Sequence, residues 1–290
     1  MSAVRRGELI KLARVMRCAP EDLACVDALD AGELRALRDD VSAQLFDDAR
    51  PMLQRVASGA RLLPIGLVAR VGEKVFRGML CAQVAGLLAP PYALAIALRM
   101  PDAFLAEVSA AIDPRSAGEV VAAIPVDRIV AVAQVLVAKR DFITMARFVD
   151  YLARGAIAAV IASIPDERDL LRIAAHVESP AKLGELVSQL AIERTRAMIA
   201  GLCGADASLW MEALAVAEML DDTWRRTLAD LAAELDPAVL VGLVETANAF
   251  AVWPSVLPFV HAMSEASRRH FLAMPIVAAM PPALRTALEA

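Results

Sequence analysis

With 290 residues, 58% of them hydrophobic and 22% charged, the chain is far too apolar for disorder and long enough for one elongated domain or two compact ones. A formal net charge of −5 leaves no basic excess to hold a polyanion, which disfavours nucleic acid as a partner. The four cysteines, Cys18, Cys25, Cys81 and Cys203, form no CxxC pair and have no histidine at ligand spacing. They read as buried free thiols of a reducing compartment, so a cytoplasmic protein without metal or cofactor is expected.

Residues 1–84 read as a helical N-terminal region. Val4–Arg17 is an amphipathic helix stopped near Pro20, and its Arg5, Arg6, Lys11, Arg14 and Arg17 break up the apolar run a secretory signal needs. Pro20-Glu21-Asp22 starts a second helix, with a first-turn proline and acids that complement the dipole. Ala31–Phe46, Pro51–Leu62 and Ile65–Leu88 follow as separate helices. On the last, Arg70, Glu73, Lys74 and Arg77 form a stripe opposite Val68, Val71 and Val75. That stripe reads as the solvated side of an amphipathic helix, with phosphate binding the sharper alternative. Charge alternates here: residues 4–18 and 51–80 are basic, and residues 19–50 are acidic, a pattern suited to internal pairing or to docking. Met79–Leu98 has the length of a membrane span, but Pro90-Pro91 removes two backbone donors at its middle, so two helices are expected.

Over residues 85–250 one apolar frame recurs: Leu105/Val108/Ile112, Met145/Phe148/Leu152, Leu183/Leu186/Leu190 and Leu228/Leu231/Leu235. Each has the i, i+3, i+7 spacing of one helical face. A second frame follows each: Val120/Val121/Ile124, Val160/Ile161/Ile164, Met198/Ile199/Leu202 and Leu243/Val244/Ala247. The frames step by 40, 38 and 45 residues, from 112 to 152, 190 and 235, as stacked helical repeats do. Each repeat is predicted to hold three short helices, with Asp113-Pro114 and Asp236-Pro237 as cap-plus-first-turn starts. The proline-rich residues 251–290 depart from the frame as C-terminal capping helices should. No strand signal is present.

The fold class is therefore all-α, a right-handed α-solenoid of about four to five roughly 40-residue repeats with a helical N-terminal region. Three helices per repeat resemble armadillo and HEAT-type α-solenoids. Ile124-Pro125-Val126-Asp127 and Ile164-Pro165-Asp166-Glu167 also resemble the superhelical cytoplasmic N-terminal domain of MgtE-type magnesium transporters. A dense acidic surface is missing, so no magnesium site is carried over with that resemblance.

No phosphate loop, dinucleotide fingerprint, metalloprotease helix or nucleophile elbow occurs. Asp39-Asp40, Asp47-Asp48 and Asp221-Asp222 lack the acid three residues on that a magnesium–diphosphate site needs, and read as caps and solvated surface. His176, His261 and His270 assemble no catalytic set by spacing, and His176 reads as a packed helix residue. The candidate interface is Trp210, Trp224, Arg225, Arg226, Trp253, Arg268 and Arg269, since Trp and Arg anchor interfaces. The expected function is non-enzymatic binding of a protein partner on the superhelical surface. An apolar-ligand (lipid or isoprenoid) carrier is the second reading, and an enzyme of unrecognised class the third. A transmembrane protein is not expected; a peripheral membrane contact stays open.

Overall fold

A computed structural model describes residues 3–289 and is all-helical, with no strand among the described residues. The chain divides into two compact units, Met1–Pro165 and Asp166–Ala290. The first contains α1 (Ala3–Met16), a 3-10 turn (Pro20–Val26), α2 (Ala31–Ala60), α3 (Ile65–Val71), a π-turn (Gly72–Phe76) and α4 (Arg77–Ala85). It continues with α5 (Pro90–Ala97), α6 (Asp102–Ala111), α7 (Pro114–Ala123), α8 (Val126–Ala138), α9 (Phe142–Phe148, prolonged by a 3-10 turn, Val149–Tyr151) and α10 (Arg154–Ser163). The second unit contains α11 (Glu167–Ala174), α12 (Pro180–Ser188), α13 (Ile192–Ala200), α14 (Ala207–Met219) and α15 (Asp222–Ala233). It ends with α16 (Pro237–Ala249), α17 (Trp253–Ala262), α18 (Glu265–Leu272), α19 (Pro275–Ala278) and α20 (Pro282–Glu289). No helix among the described residues is long and apolar enough to cross a membrane.

Within each unit a helix packs mainly on the helix two positions further along. In the first unit α2, α4, α6, α8 and α10 form one row, and α3, α5 and α7 a second. In the second unit α11, α13, α15 and α17 form such a row. The apolar frames account for this, because no frame residue is exposed. Their geometry differs from an uninterrupted helical face, however. The third residue of each first frame, Ile112, Leu152, Leu190 or Leu235, lies just beyond its helix, and the next residue is the N-cap of the following helix. Ile112 and Leu152 are extended there, and α9 gives way to its 3-10 turn before Leu152. An apolar residue leaving a helix packs back on the last turn and fixes the exit direction. Ile164, Val177, Leu220 and Met274 do the same at other connections and are buried.

Helices this short leave many carbonyls without intrahelical donors. Arginines supply them. Arg128 Nη2 donates to Met100 O at 2.6 Å beyond α5, and Arg147 Nη2 to Ile112 O at 2.8 Å beyond α6. Arg225 Nη2 reaches Leu220 O (2.8 Å) beyond α14, Arg226 Nε reaches Ala262 O (3.2 Å) at the end of α17, and Arg268 Nη2 reaches Leu288 O (2.9 Å) in α20. A cation at a helix C-terminus also complements the dipole.

The N-terminal helices are tied to the first repeats by charge. Buried Glu8 accepts from buried Lys11 (2.9 Å) and from Arg35 and Arg38 of α2 (3.1 Å each). Arg38 pairs with Asp39, which also accepts from Arg115 of α7 at 3.0 Å. Further along, the Arg14 fork holds both oxygens of Asp141 at 2.6 and 2.7 Å, while Asp141 caps α9 through Thr144. Burial pushes the Asp141 carboxyl up, but the Arg14 fork and the Thr144 hydroxyl outweigh it and hold it below its usual range.

Two sequence expectations change. Ala31–Phe46 and Pro51–Leu62 form one helix, α2, running through Pro51. The donor that Pro51 lacks would have met the carbonyl of Asp47, which lies on an exposed side of the helix where the lost bond costs least. Ile65–Leu88 is interrupted by the π-turn, which inserts a residue and turns Val75 outward, away from Val68 and Val71.

Ile164→Ala should cost about 2–4 kcal/mol in urea unfolding, since that exit residue is fully enclosed. Asp141→Asn should cost about 2 kcal/mol at neutral pH by leaving Arg14 without its counter-ion. Because the folded carboxyl lies below its unfolded value, the gap between the two proteins should close as pH falls below about 4.

Candidate functional site

The C-terminal tryptophans and arginines serve mainly to hold the fold. Trp210 and Trp253 are 6% and 7% exposed in one core of the second unit. Their indole N–H groups donate to Leu202 O at 2.9 Å and Asn248 Oδ1 at 2.6 Å. Trp224 is half-buried with its indole edge over Gly184 of α12. Arg225 pairs with Asp222 at 2.8 Å, and Arg225, Arg226 and Arg268 hold the carbonyls described above. Arg269 is exposed beside Glu265 at 3.7 Å. The structure therefore places Trp210 and Trp253 inside the protein, and leaves Arg226 and Arg269 as the exposed members of the set.

The other ionisable candidates are also placed. Asp39 pairs with arginines, Asp47 pairs with Arg50 at 3.4 Å, Asp48 accepts from Gln44 at 2.9 Å, and Asp221 caps α15. His176 lies in the turn after α11 rather than within a helix, and His261 Nε2 is 2.8 Å from Ala287 O. No three His, Cys, Asp or Glu side chains converge as a metal-ligand group among the described residues. All four cysteines are free; contrary to expectation none is fully buried, Cys25 being exposed and Cys18, Cys81 and Cys203 half-buried, and desolvation pushes the Cys81 thiol up to about 11.

A different surface stands out in the first unit. Large apolar side chains lie exposed along the end of α2, through α3 and the π-turn, into α4: Leu62, Leu63, Leu67, Val75, Phe76 and Met79. Leu62 is 85% exposed and Val75 66%. Within α3, Leu67 and Arg70 lie three residues apart on one side and are both exposed, with Leu63 exposed in the connection before the helix and Lys74 exposed in the π-turn after it. Tyr92 pins the start of this segment by donating to Ala60 O at 2.6 Å, and Arg17 at the end of α1 contacts the Met79 sulfur.

The backbone at the centre is strained. Arg77 has φ 58° and ψ 171°, a combination that belongs essentially to glycine and costs about 1–3 kcal/mol for other residues. The other non-glycine residues with positive φ, Arg17, Arg140 and Ala251, sit where helices stop. After each, the next amide donates back five residues: Cys18 to Ala13 O (3.1 Å), Asp141 to Leu136 O (2.9 Å) and Val252 to Ala247 O (3.2 Å). Arg77 instead begins α4 directly after a π-turn. Its neighbour Gly78 is pressed on α6, where a Cβ would come within 2.9 Å of the Glu107 backbone. The close seat of Gly78 helps force the distortion and presents Val75 and Phe76 to solvent.

The sequence sets Arg70, Glu73, Lys74 and Arg77 as a stripe opposite Val68, Val71 and Val75, whereas the structure turns Val75 outward. The signal available was the pair Gly72 and Gly78 bracketing Val75-Phe76, since paired glycines allow a close approach and a non-α turn. Compared with protein-family models, curated proteins and solved structures, the chain matches none.

Arg77→Gly should raise stability by about 1 kcal/mol or more in urea unfolding by removing the backbone strain. Arg77→Ala removes the charge but keeps the strain, and should show no such gain.

Proposed function

We propose that this chain is a non-enzymatic helical-repeat docking protein that meets its partner through the face formed by Leu62, Leu63, Leu67, Arg70, Lys74, Val75, Phe76 and Met79. The observation that carries this is the run of exposed large apolar side chains held outward by the π-turn and the strained Arg77. Exposing such groups is unfavourable in water, and contiguous patches of them mark interaction sites. Two features make accidental exposure a poor account: the backbone is distorted where the apolar residues emerge, and π-turns recur at functional positions.

The repeats of the first unit back this face. We read their stacking within each unit as turns of a right-handed α-solenoid, supported by the roughly 40-residue step and by the packing of helices on the ones two further along over α2–α10 and α11–α17. The resemblance to armadillo and MgtE-type repeats rests on that spacing and on the apolar-residue–proline connections. Four free thiols suit a cytoplasmic setting. We assign the docking role to this face rather than to the C-terminal tryptophans and arginines, of which Trp210 and Trp253 are buried.

A photo-crosslinking residue should be introduced at Leu67 and, separately, at Glu245 on the exposed side of α16, and irradiated in cells. Discrete adducts at Leu67 and none at Glu245 are expected. No adduct at either site, or equal labelling at both, would overturn the assignment of this face.

A further inference from the structure

We infer that the occupant of the Leu62–Met79 face is an anionic lipid surface; this rests on the docking role just proposed and names its partner. The first reason lies in which cations are already engaged. Arg5, Arg14, Arg38, Arg115, Arg128, Arg147, Arg225, Arg226 and Arg268 hold carboxylates or helix-end carbonyls. Among the described residues, the side chains of Arg55, Arg70, Lys74 and Arg77 make no hydrogen bond or ion pair, and all four are exposed. Arg6, Arg154 and Arg168 are exposed in the same state elsewhere, so four of seven such cations fall within residues 55–77, where the apolar groups emerge.

The second reason is the distribution of acids around it. Glu73 is the only acidic residue between positions 51 and 80. Upstream, Asp48 lies about three turns back along α2 from Ala60, or about 18 Å, well beyond the ~8 Å screening length of physiological salt. Downstream, Glu107 faces Gly78 through its backbone, and its carboxylate is 3.9 Å from Lys139. The face therefore presents positive charge with little compensation.

The third reason is the arrangement itself. Leu62 and Leu63 stand at the α2–α3 connection, Leu67 and Arg70 share one side of α3, and Lys74, Val75 and Phe76 are exposed in the π-turn that follows, so apolar and cationic side chains alternate along the exposed segment. A bilayer whose anionic headgroups overlie an apolar layer matches such a surface. The leucines enter the headgroup–acyl boundary, and the long basic side chains keep their charges at the phosphates. No matching pocket is required of the partner, and attraction to the surface scales with the number of cations.

The full-length protein should be sedimented with vesicles of phosphatidylcholine alone and of phosphatidylcholine mixed with phosphatidylglycerol. Partition onto the anionic vesicles and little onto the neutral ones is expected. Arg70→Gln combined with Lys74→Gln should weaken it about 25-fold, roughly fivefold for each charge. Leu62→Ser combined with Leu67→Ser should weaken it as well, while Arg154→Gln combined with Arg168→Gln, elsewhere on the surface, should not. Circular dichroism and urea midpoints verify that each variant is folded. Failure to bind anionic vesicles, or binding insensitive to both pairs at the face, would overturn the lipid assignment. Protein adducts at Leu67 without vesicle binding would leave the docking role standing and remove lipid as its partner. Absence of both would remove both.

Discussion

A helix of eight to thirteen residues spends a large share of its length on its ends, and most helices of this protein are of that size. Each end leaves carbonyl oxygens without intrahelical donors, and burying them unpaired would cost far more than the segment gains by packing. The connections are too short to loop out to water, so the ends must be satisfied inside the packing. An arginine from a neighbouring element donates to such carbonyls at the ends of α5, α6, α14, α17 and α20, while an apolar residue at the exit packs back on the helix it leaves and fixes the direction of the chain. The rest of the architecture depends on that solution. It lets short helices succeed one another every dozen residues and still bury apolar clusters between them.

The same requirement explains the choice of cation. Only four of the 30 basic residues are lysine: Lys11, Lys74, Lys139 and Lys182. A guanidinium presents several fixed donors and can hold a carboxylate and a carbonyl together, as Arg128 does with Asp102 at 2.6 Å and Met100 O. A lysine ammonium is strongly hydrated and gives less directional control. Arg225, Arg226 and Arg268 fit an interface by residue type alone, yet their donors are directed to carbonyls within their own unit. Trp210 and Trp253 were misleading for a related reason: burying a large indole beside a hydrogen-bond acceptor serves a core as well as an interface.

Much of the fold was legible because apolar spacing and cap chemistry are local. Asp113-Pro114 and Asp236-Pro237 do open α7 and α16, and the frames mark inward positions. What spacing could not reveal was where the α-helical period itself fails. Leu152 fits an i+7 position on a continued helix equally well as an exit residue, and only packing decides between them. Pro51 reads as a boundary because a proline usually is one, but on an exposed helix side the lost hydrogen bond costs least. Long-range ties such as Arg14 to Asp141 leave no trace in local pattern at all.

The π-turn is the sharpest case, and it concerns function. A single inserted residue rotates everything after it, so Val75 passes from the inner side of a regular helix to the outer side of the real one. Relaxing the segment to an ordinary helix would withdraw Val75 from solvent and release Arg77 from a glycine-like backbone, both favourable in isolation. Gly78, seated against the α6 backbone, opposes that relaxation. The packing that secures the first repeat therefore also holds an apolar, cationic surface open to solvent, at a place where a foldable chain would otherwise be expected to hide it. A local conflict of this kind persists when something outside the chain makes use of it.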